Sequence, residues 1–122
     1  MKILWIEDDY HAIKGLFRRL EKDGGVELKK ALSAMDAYKM AGNWQEFDLI
    51  VVDLILPISN DSEKIPDIVE SWEKEPRVGV GVVKWLILKL KVTCPILILS
   101  VINNPISTYH LEELNLAGYL SK

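Results

Sequence analysis

A chain of 122 residues suffices for one compact domain and is too short for two ordinary ones. With 49% hydrophobic and 27% charged residues it has the composition of a globular protein, and its longest apolar runs fall far short of the ~20 residues a membrane span needs. The net charge of −3, with basic residues scattered rather than clustered, leaves no electrostatic case for nucleic acid or an anionic membrane as a partner.

Ile3-Leu4-Trp5-Ile6 is a short apolar run, predicted as a strand from Lys2, that stops at Glu7-Asp8-Asp9. Ile13, Leu16, Phe17 and Leu20 then recur at the spacing of one helical face, with Asp9 as the predicted N-cap and Gly24-Gly25 as the stop. Val26 to Ala31 alternates and predicts a less buried strand. Ser33 is placed to cap a second helix with a small-residue face, Ala34, Ala37, Tyr38 and Ala41, ended by Gly42-Asn43. Leu49-Ile50-Val51-Val52 predicts a buried strand ending on Asp53. The stretch from Pro57 to Val78 is rich in acids, and Pro66 to Glu75 is expected to form a short helix, since proline suits a first turn.

A stronger helix is predicted from Gly81, with Val83, Leu86, Ile87 and Leu90 on one face and Lys84, Lys89 and Lys91 largely off it. Pro95 opens the strand Ile96 to Ser100. Asn103-Asn104-Pro105 reads as a loop, Ser107 as the cap of a short helix carrying Leu111 and Leu114, and Gly118-Tyr119-Leu120 as a last strand before Lys122. The single cysteine, Cys94, cannot form an internal disulfide and reads as a small buried hydrophobe. Nothing at the start resembles a signal peptide, which points to the cytoplasm.

Strands and helices alternate throughout, which predicts a parallel sheet covered by helices on both faces. Ligands of such sheets lie beyond the carboxyl ends of the strands, where Glu7, Asp8, Asp53 and Ser100 are aimed. Carboxylates facing one another repel unless a cation compensates them. Mg²⁺ suits the task, since it takes oxygen ligands and is commonly held by one or two carboxylates and a phosphate. A carboxylate can also act as a nucleophile and carry a phosphoryl group. Transfer then requires positioning and charge compensation, which Mg²⁺, the Ser100 hydroxyl and the Lys122 ammonium would supply.

These segments together resemble the receiver domain of two-component response regulators. Lys2-Ile3-Leu4-Trp5-Ile6-Glu7-Asp8-Asp9 is similar to that family's opening strand and acid pair, and Asp53-Leu54-Ile55-Leu56-Pro57 to its phosphoacceptor segment. Pro95 to Ser100 resembles its fourth strand with the Ser/Thr switch, and Gly118-Tyr119-Leu120-Ser121-Lys122 its fifth strand with the aromatic switch and the lysine. The resemblance implies a flavodoxin-like, doubly wound (βα)5 domain over residues 1–122, with strand order 2-1-3-4-5. It implies that Asp53 accepts a phosphoryl group from a sensor histidine kinase or phosphotransfer protein. Asp8, Asp53 and the backbone carbonyl of Ile55 would bind Mg²⁺, with Glu7 helping through water. Ser100 and Lys122 would hold the phosphoryl oxygens, and Tyr119 would turn inward as Ser100 moves. On this reading the chain is a switch, not an enzyme acting on other molecules. It binds no nucleic acid, addresses a downstream protein of unknown identity, and is compatible with a homodimer.

Three features depart from the family. An extended loop at 58–78 precedes the third long helix, and a loop of that length beside a site is functional or disordered. Val101 replaces the usual alanine, and Ile55 and Ile102 are bulky and aliphatic, which predicts exclusion of water and a long-lived phosphorylated form. The family's fifth helix does not follow Lys122 in this sequence, which leaves three readings open: a longer native chain, a partner that covers that face, or a stripped-down receiver. The alternative function is a pseudo-receiver, a constitutive interaction module. A Mg²⁺-dependent phosphohydrolase lacks a placed general acid, because His11 and His110 read as surface residues, and a flavin protein would need a phosphate-cradling loop where the acids stand.

Overall fold

Lys2–Ile6 (β1), Glu27–Ala31 (β2), Leu49–Asp53 (β3), Ile96–Ser100 (β4) and Gly118–Ser121 (β5) pair into one all-parallel sheet in the order β2-β1-β3-β4-β5. The computed structural model describes every residue except Ser62 and, in the first helix, the side chains of Tyr10, Ala12, Ile13, Leu16 and Asp23. The central strands are the continuous apolar runs, as expected of strands covered on both faces. β2, at an edge, keeps Glu27, Lys29 and Lys30 exposed, as its weaker alternation predicts.

Alternation along the strands divides the core in two. Leu4, Ile6, Ile50, Val52, Ile96 and Ile98 face one way, into the larger cluster. Ile3, Trp5, Val51 and Leu99 face the other way and pack with Phe17. Phe17 comes from α1, Tyr10–Gly24, which begins immediately after Asp9. Of the stripe predicted for this helix, Phe17 is buried and Leu20 half-buried, while Ile13 and Leu16 lie outside the described side chains.

The larger face is covered first by α2, Ala34–Met40, whose predicted cap is in place: Ser33 Oγ accepts from the Asp36 N–H at 3.0 Å. Gly42-Asn43 does not stop the chain from turning. A 3₁₀ segment runs on over Ala41–Glu46, kinked at Asn43. The 58–78 stretch is folded in part: α3 spans Asp67–Ser71 and tightens into a 3₁₀ turn, Trp72–Lys74, so the short helix predicted there is present. Val69 and Trp72 bury their side chains in the larger cluster.

The stronger helix, α4, starts at Val78 rather than at the predicted Gly81, and runs to Lys84 before widening into a π-helical turn, Trp85–Lys89. The glycines that disguised its first turn are there for contact. A Cβ on Gly79 would press on the Asp53 carbonyl oxygen and on Leu54, and one on Gly81 would meet the Trp72 ring at 2.6 Å. Hydrophobic spacing cannot register a helical turn whose packing is made by backbone.

The segment between β4 and β5 also differs from the expectation. Its helix, α5, is Pro105–Thr108, a single turn. Asn104 caps it, accepting from the Ser107 N–H at 3.4 Å, so Ser107 lies inside the helix instead of capping it, while Leu111 and Leu114 come after it, outside any helix. Asn104 caps from a left-handed backbone, φ 53°, a conformation asparagine tolerates better than most residues. Leu111 is nevertheless fully buried in the larger cluster. Among the described residues, no helix is long and apolar enough to cross a membrane.

Candidate functional site

The carboxyl ends of β1, β3, β4 and β5 meet at one rim. β1 delivers Glu7 just past its last residue, where the Glu7 N–H still bonds to the Ala31 carbonyl at 2.9 Å. β3 ends on Asp53 and β4 on Ser100. β5 carries Lys122 one step past its end, and the Lys122 N–H is fixed to the Ser100 carbonyl at 2.9 Å. Glu7 and Asp53 are each only 1% exposed and Ser100 4%. A buried carboxylate needs partners, and the structure supplies them.

Lys122 is the principal partner. Its Nζ donates to Asp53 Oδ2 at 2.6 Å and stands 2.9 Å from Glu7 Oε1. Partial burial by itself would lower the lysine's pKa, but the hydrogen bonds to Asp53 and Glu7, with the charges behind them, hold it above the ordinary lysine value. The second oxygen of Asp53, Oδ1, accepts the Ile55 N–H at 3.0 Å. The second oxygen of Glu7, Oε2, accepts the indole N–H of Trp5 at 3.2 Å. Ser100 Oγ accepts the Ile102 N–H at 2.9 Å, which turns the hydroxyl toward the loop after β4.

Glu7, Asp53 and Lys122 are thus joined directly, with Ser100 on the strand between the lysine and Asp53. Asp8 lies exposed beside them on the rim. Tyr119 is half-buried against the larger core, and its hydroxyl donates to Asn103 Oδ1 at 3.2 Å. Ile55 and Val101 are exposed at 50% and 67%. Among the described residues, no three His, Cys, Asp or Glu side chains converge as a metal cluster. Mg²⁺ does not require that, since one or two carboxylates with a carbonyl and waters suffice. Asp8 and Asp53 with the Ile55 carbonyl, and Glu7 nearby, are hard oxygen donors that fit such an ion.

Sequence patterning did not single out two contacts. The Trp5–Glu7 hydrogen bond was detectable in principle, since residues two apart on a strand share a face. The seating of Gly79 on Asp53 and Leu54 left no pattern beyond the glycine itself. A cavity of about 360 Å³ lies elsewhere, at the start of β4 and before β5, lined by Ile87, Cys94, Pro95 and Leu116. Its location at the amino ends of the strands separates it from the rim. Cys94 there is half-buried, and burial pushes its thiol pKa up, away from reactivity, as expected of a small hydrophobe.

No family model matches the sequence, and no curated protein matches it. Solved structures do match. The non-phosphorylated HemR receiver domain from Leptospira biflexa superposes with a TM-score of 0.71 at 25% identity, covering 99% of this chain and 81% of that one. The receiver domain of the Francisella response regulator 1452 gives 0.69 at 20% identity, over 99% and 83%. The Vibrio cholerae chemotaxis protein CheY4 gives 0.65 at 21%, over 99% and 85%. The alternating apolar runs, the strand order 2-1-3-4-5 and these superpositions agree: the chain has the fold of the response-regulator receiver domain.

Proposed function

We propose that the chain is a phosphorylation-controlled switch of two-component signalling, with Asp53 as phosphoacceptor. The observation that carries the reading is the buried Asp53 carboxylate at the end of β3 with Lys122 Nζ 2.6 Å away. In the transfer, the phosphorus–nitrogen bond of a phosphohistidine on a histidine kinase or phosphotransfer protein breaks as an Asp53 oxygen bonds to phosphorus. Lys122 leaves Oδ2 and meets the phosphoryl oxygens, and the Ser100 hydroxyl lies on the adjoining strand end to donate to another. Asp8, Asp53 and the Ile55 carbonyl would hold Mg²⁺, with Glu7 at its water shell; when bound, the ion offsets charge on the transferring group. The added charge then biases the surrounding loops between two arrangements, with Ser100 and Tyr119 as the moving side chains.

Incubation of the whole chain with acetyl phosphate and Mg²⁺ tests this. Intact-mass measurement should show one added phosphoryl group, absent in Asp53→Asn. A wild-type chain that stays unmodified by acetyl phosphate and by a phosphorylated kinase removes the reading. The second reading, a constitutive interaction module, draws on the same ion pairs: Lys122 already compensates both buried acids without any added cation.

A further inference from the structure

Trp5 stands on β1 two residues before Glu7, so the pleat sends both side chains to the same side of the sheet. The indole Nε1–H donates to Glu7 Oε2 at 3.2 Å, and both residues are buried. The ring itself is held. Phe17 of α1 meets it edge-on, with centroids 5.3 Å apart at 72°. Ile3, Val51 and Leu99 complete the cluster around it. The other Glu7 oxygen, Oε1, faces the Lys122 ammonium at 2.9 Å and has no further partner among the described residues.

The last torsion of a glutamate is broad and nearly two-fold. A donor on one oxygen removes that freedom and decides where the other oxygen points. An indole is suited to this, because it gives one N–H and no charge. It orients the carboxylate while leaving its charge available to a cation, as an arginine or lysine in its place would not. A phenylalanine or isoleucine at position 5 would be apolar too, though smaller, and would orient nothing.

We propose that Trp5 is a positioning residue of the rim: its N–H pins Glu7 Oε2, so that Oε1 is turned to the Lys122–Asp53 side and kept ready for a cation's water shell. The proposal rests on the phosphoacceptor reading of that rim. It adds to it a residue that lies in the core and has no contact with the transferred group.

The test uses the whole chain with Mg²⁺ alone as the probe. Trp5 is replaced by 3-benzothienylalanine, which keeps the ring's shape and puts sulfur where the N–H stood, and separately by Phe in Trp5→Phe. Calorimetric titration should give a Mg²⁺ dissociation constant about tenfold higher for both, the scale seen when a group behind a metal site is lost. Circular dichroism of the benzothienyl protein should match wild type. In a Glu7→Ala background the same replacement should change Mg²⁺ affinity by less than about twofold, because no carboxylate remains to be oriented. An unchanged affinity with Glu7 present, or an equal loss with Glu7 absent, overturns the proposal. Failure of the phosphoacceptor reading is a distinct result: the wild-type chain then neither binds Mg²⁺ nor takes a phosphoryl group from acetyl phosphate, and both ideas fall together.

Discussion

Gly79→Ala measures how tightly α4 is seated on the proposed phosphoacceptor strand. The Gly79 N–H donates to the Leu54 carbonyl at 2.9 Å, which brings the helix backbone against the chain just after Asp53. A Cβ at Gly79 would lie 2.9 Å from the Leu54 carbonyl carbon, and closer still to the Asp53 carbonyl oxygen and Leu54 Cα. These are backbone atoms, so no side-chain rotation relieves the overlap. Carbon contacts settle near 3.5–4.0 Å, so α4 has to retreat by about 1 Å. Overpacking of this kind costs about 1–3 kcal/mol, and more where backbone must move. The better helix propensity of alanine offsets about 0.8–1.0 kcal/mol. The expected net loss is about 2 kcal/mol, read as a lower urea midpoint at equilibrium and a melting temperature lower by roughly 6–10 °C. Gly15→Ala is the control. Gly15 is an exposed position of α1 where an added methyl would meet nothing within 4 Å, so that substitution should stabilise by about 0.5–1 kcal/mol. A Gly79→Ala protein as stable as wild type, or stabilised like the control, refutes the close seating of α4.

Three further outcomes are expected. Lys122→Gln leaves Glu7 and Asp53 buried together without their cation; discounted for the lysine's partial exposure, the cost is about 1–3 kcal/mol, and millimolar Mg²⁺ should restore more of the lost melting temperature in this variant than it adds to wild type. The folded state holds the Lys122 pKa above its ordinary 10.5, so its stabilisation is fully present below pH 10.5 and fades as pH rises through the higher folded value. Urea midpoints should therefore fall more steeply above pH 10 for a Cys94→Ala protein than for the same protein with Lys122→Gln; the Cys94 background removes a second pKa that is raised on folding. Replacing Ile55 and Ile102 by Asn and Glu should speed loss of the phosphoryl group, followed by intact mass after removal of acetyl phosphate, and an unchanged decay would reject water exclusion by these side chains.

The three central strands were legible because each is a short apolar run closed by a polar residue, and burial on both faces enforces that pattern. Glu7, Asp53, Ser100 and Lys122 were legible for the same reason: the residues that end the runs are the residues at the rim. What escaped was contact made by backbone or by conformation. Val78–Val80 reads as a loop because glycine carries no hydrophobic signal, yet Gly79 and Gly81 are the positions where α4 touches Leu54 and Trp72. Ser107 is a better cap than Asn104 by position in the apolar pattern, but the helix starts at Pro105, and the side chain of Asn104 just before it accepts the Ser107 N–H. The direction of the Glu7 carboxylate depends on a hydrogen bond from Trp5 that their two-residue spacing allows but does not require.

The sheet order explains why a lysine, a serine and two acids so far apart in sequence form one unit. Lys122 and Asp53 are separated by 69 positions, and their strands, β5 and β3, are not neighbours. Strands lie about 4.8 Å apart, so the ammonium has to cross the width of β4 to reach Asp53, and one strand further to approach Glu7 beyond β1. A lysine is long enough for this only from beyond the strand end, where it can lean over the rim. The backbone bond from Lys122 to the Ser100 carbonyl sets that starting point. The Ser100 hydroxyl oxygen itself accepts the Ile102 N–H, and alternation along β4 sends that side chain to the face of Ile96 and Ile98, opposite Leu99. The end of β4 therefore serves the ion pair through its backbone, which any residue there could offer, and only the proposed phosphoryl group would call on the serine hydroxyl.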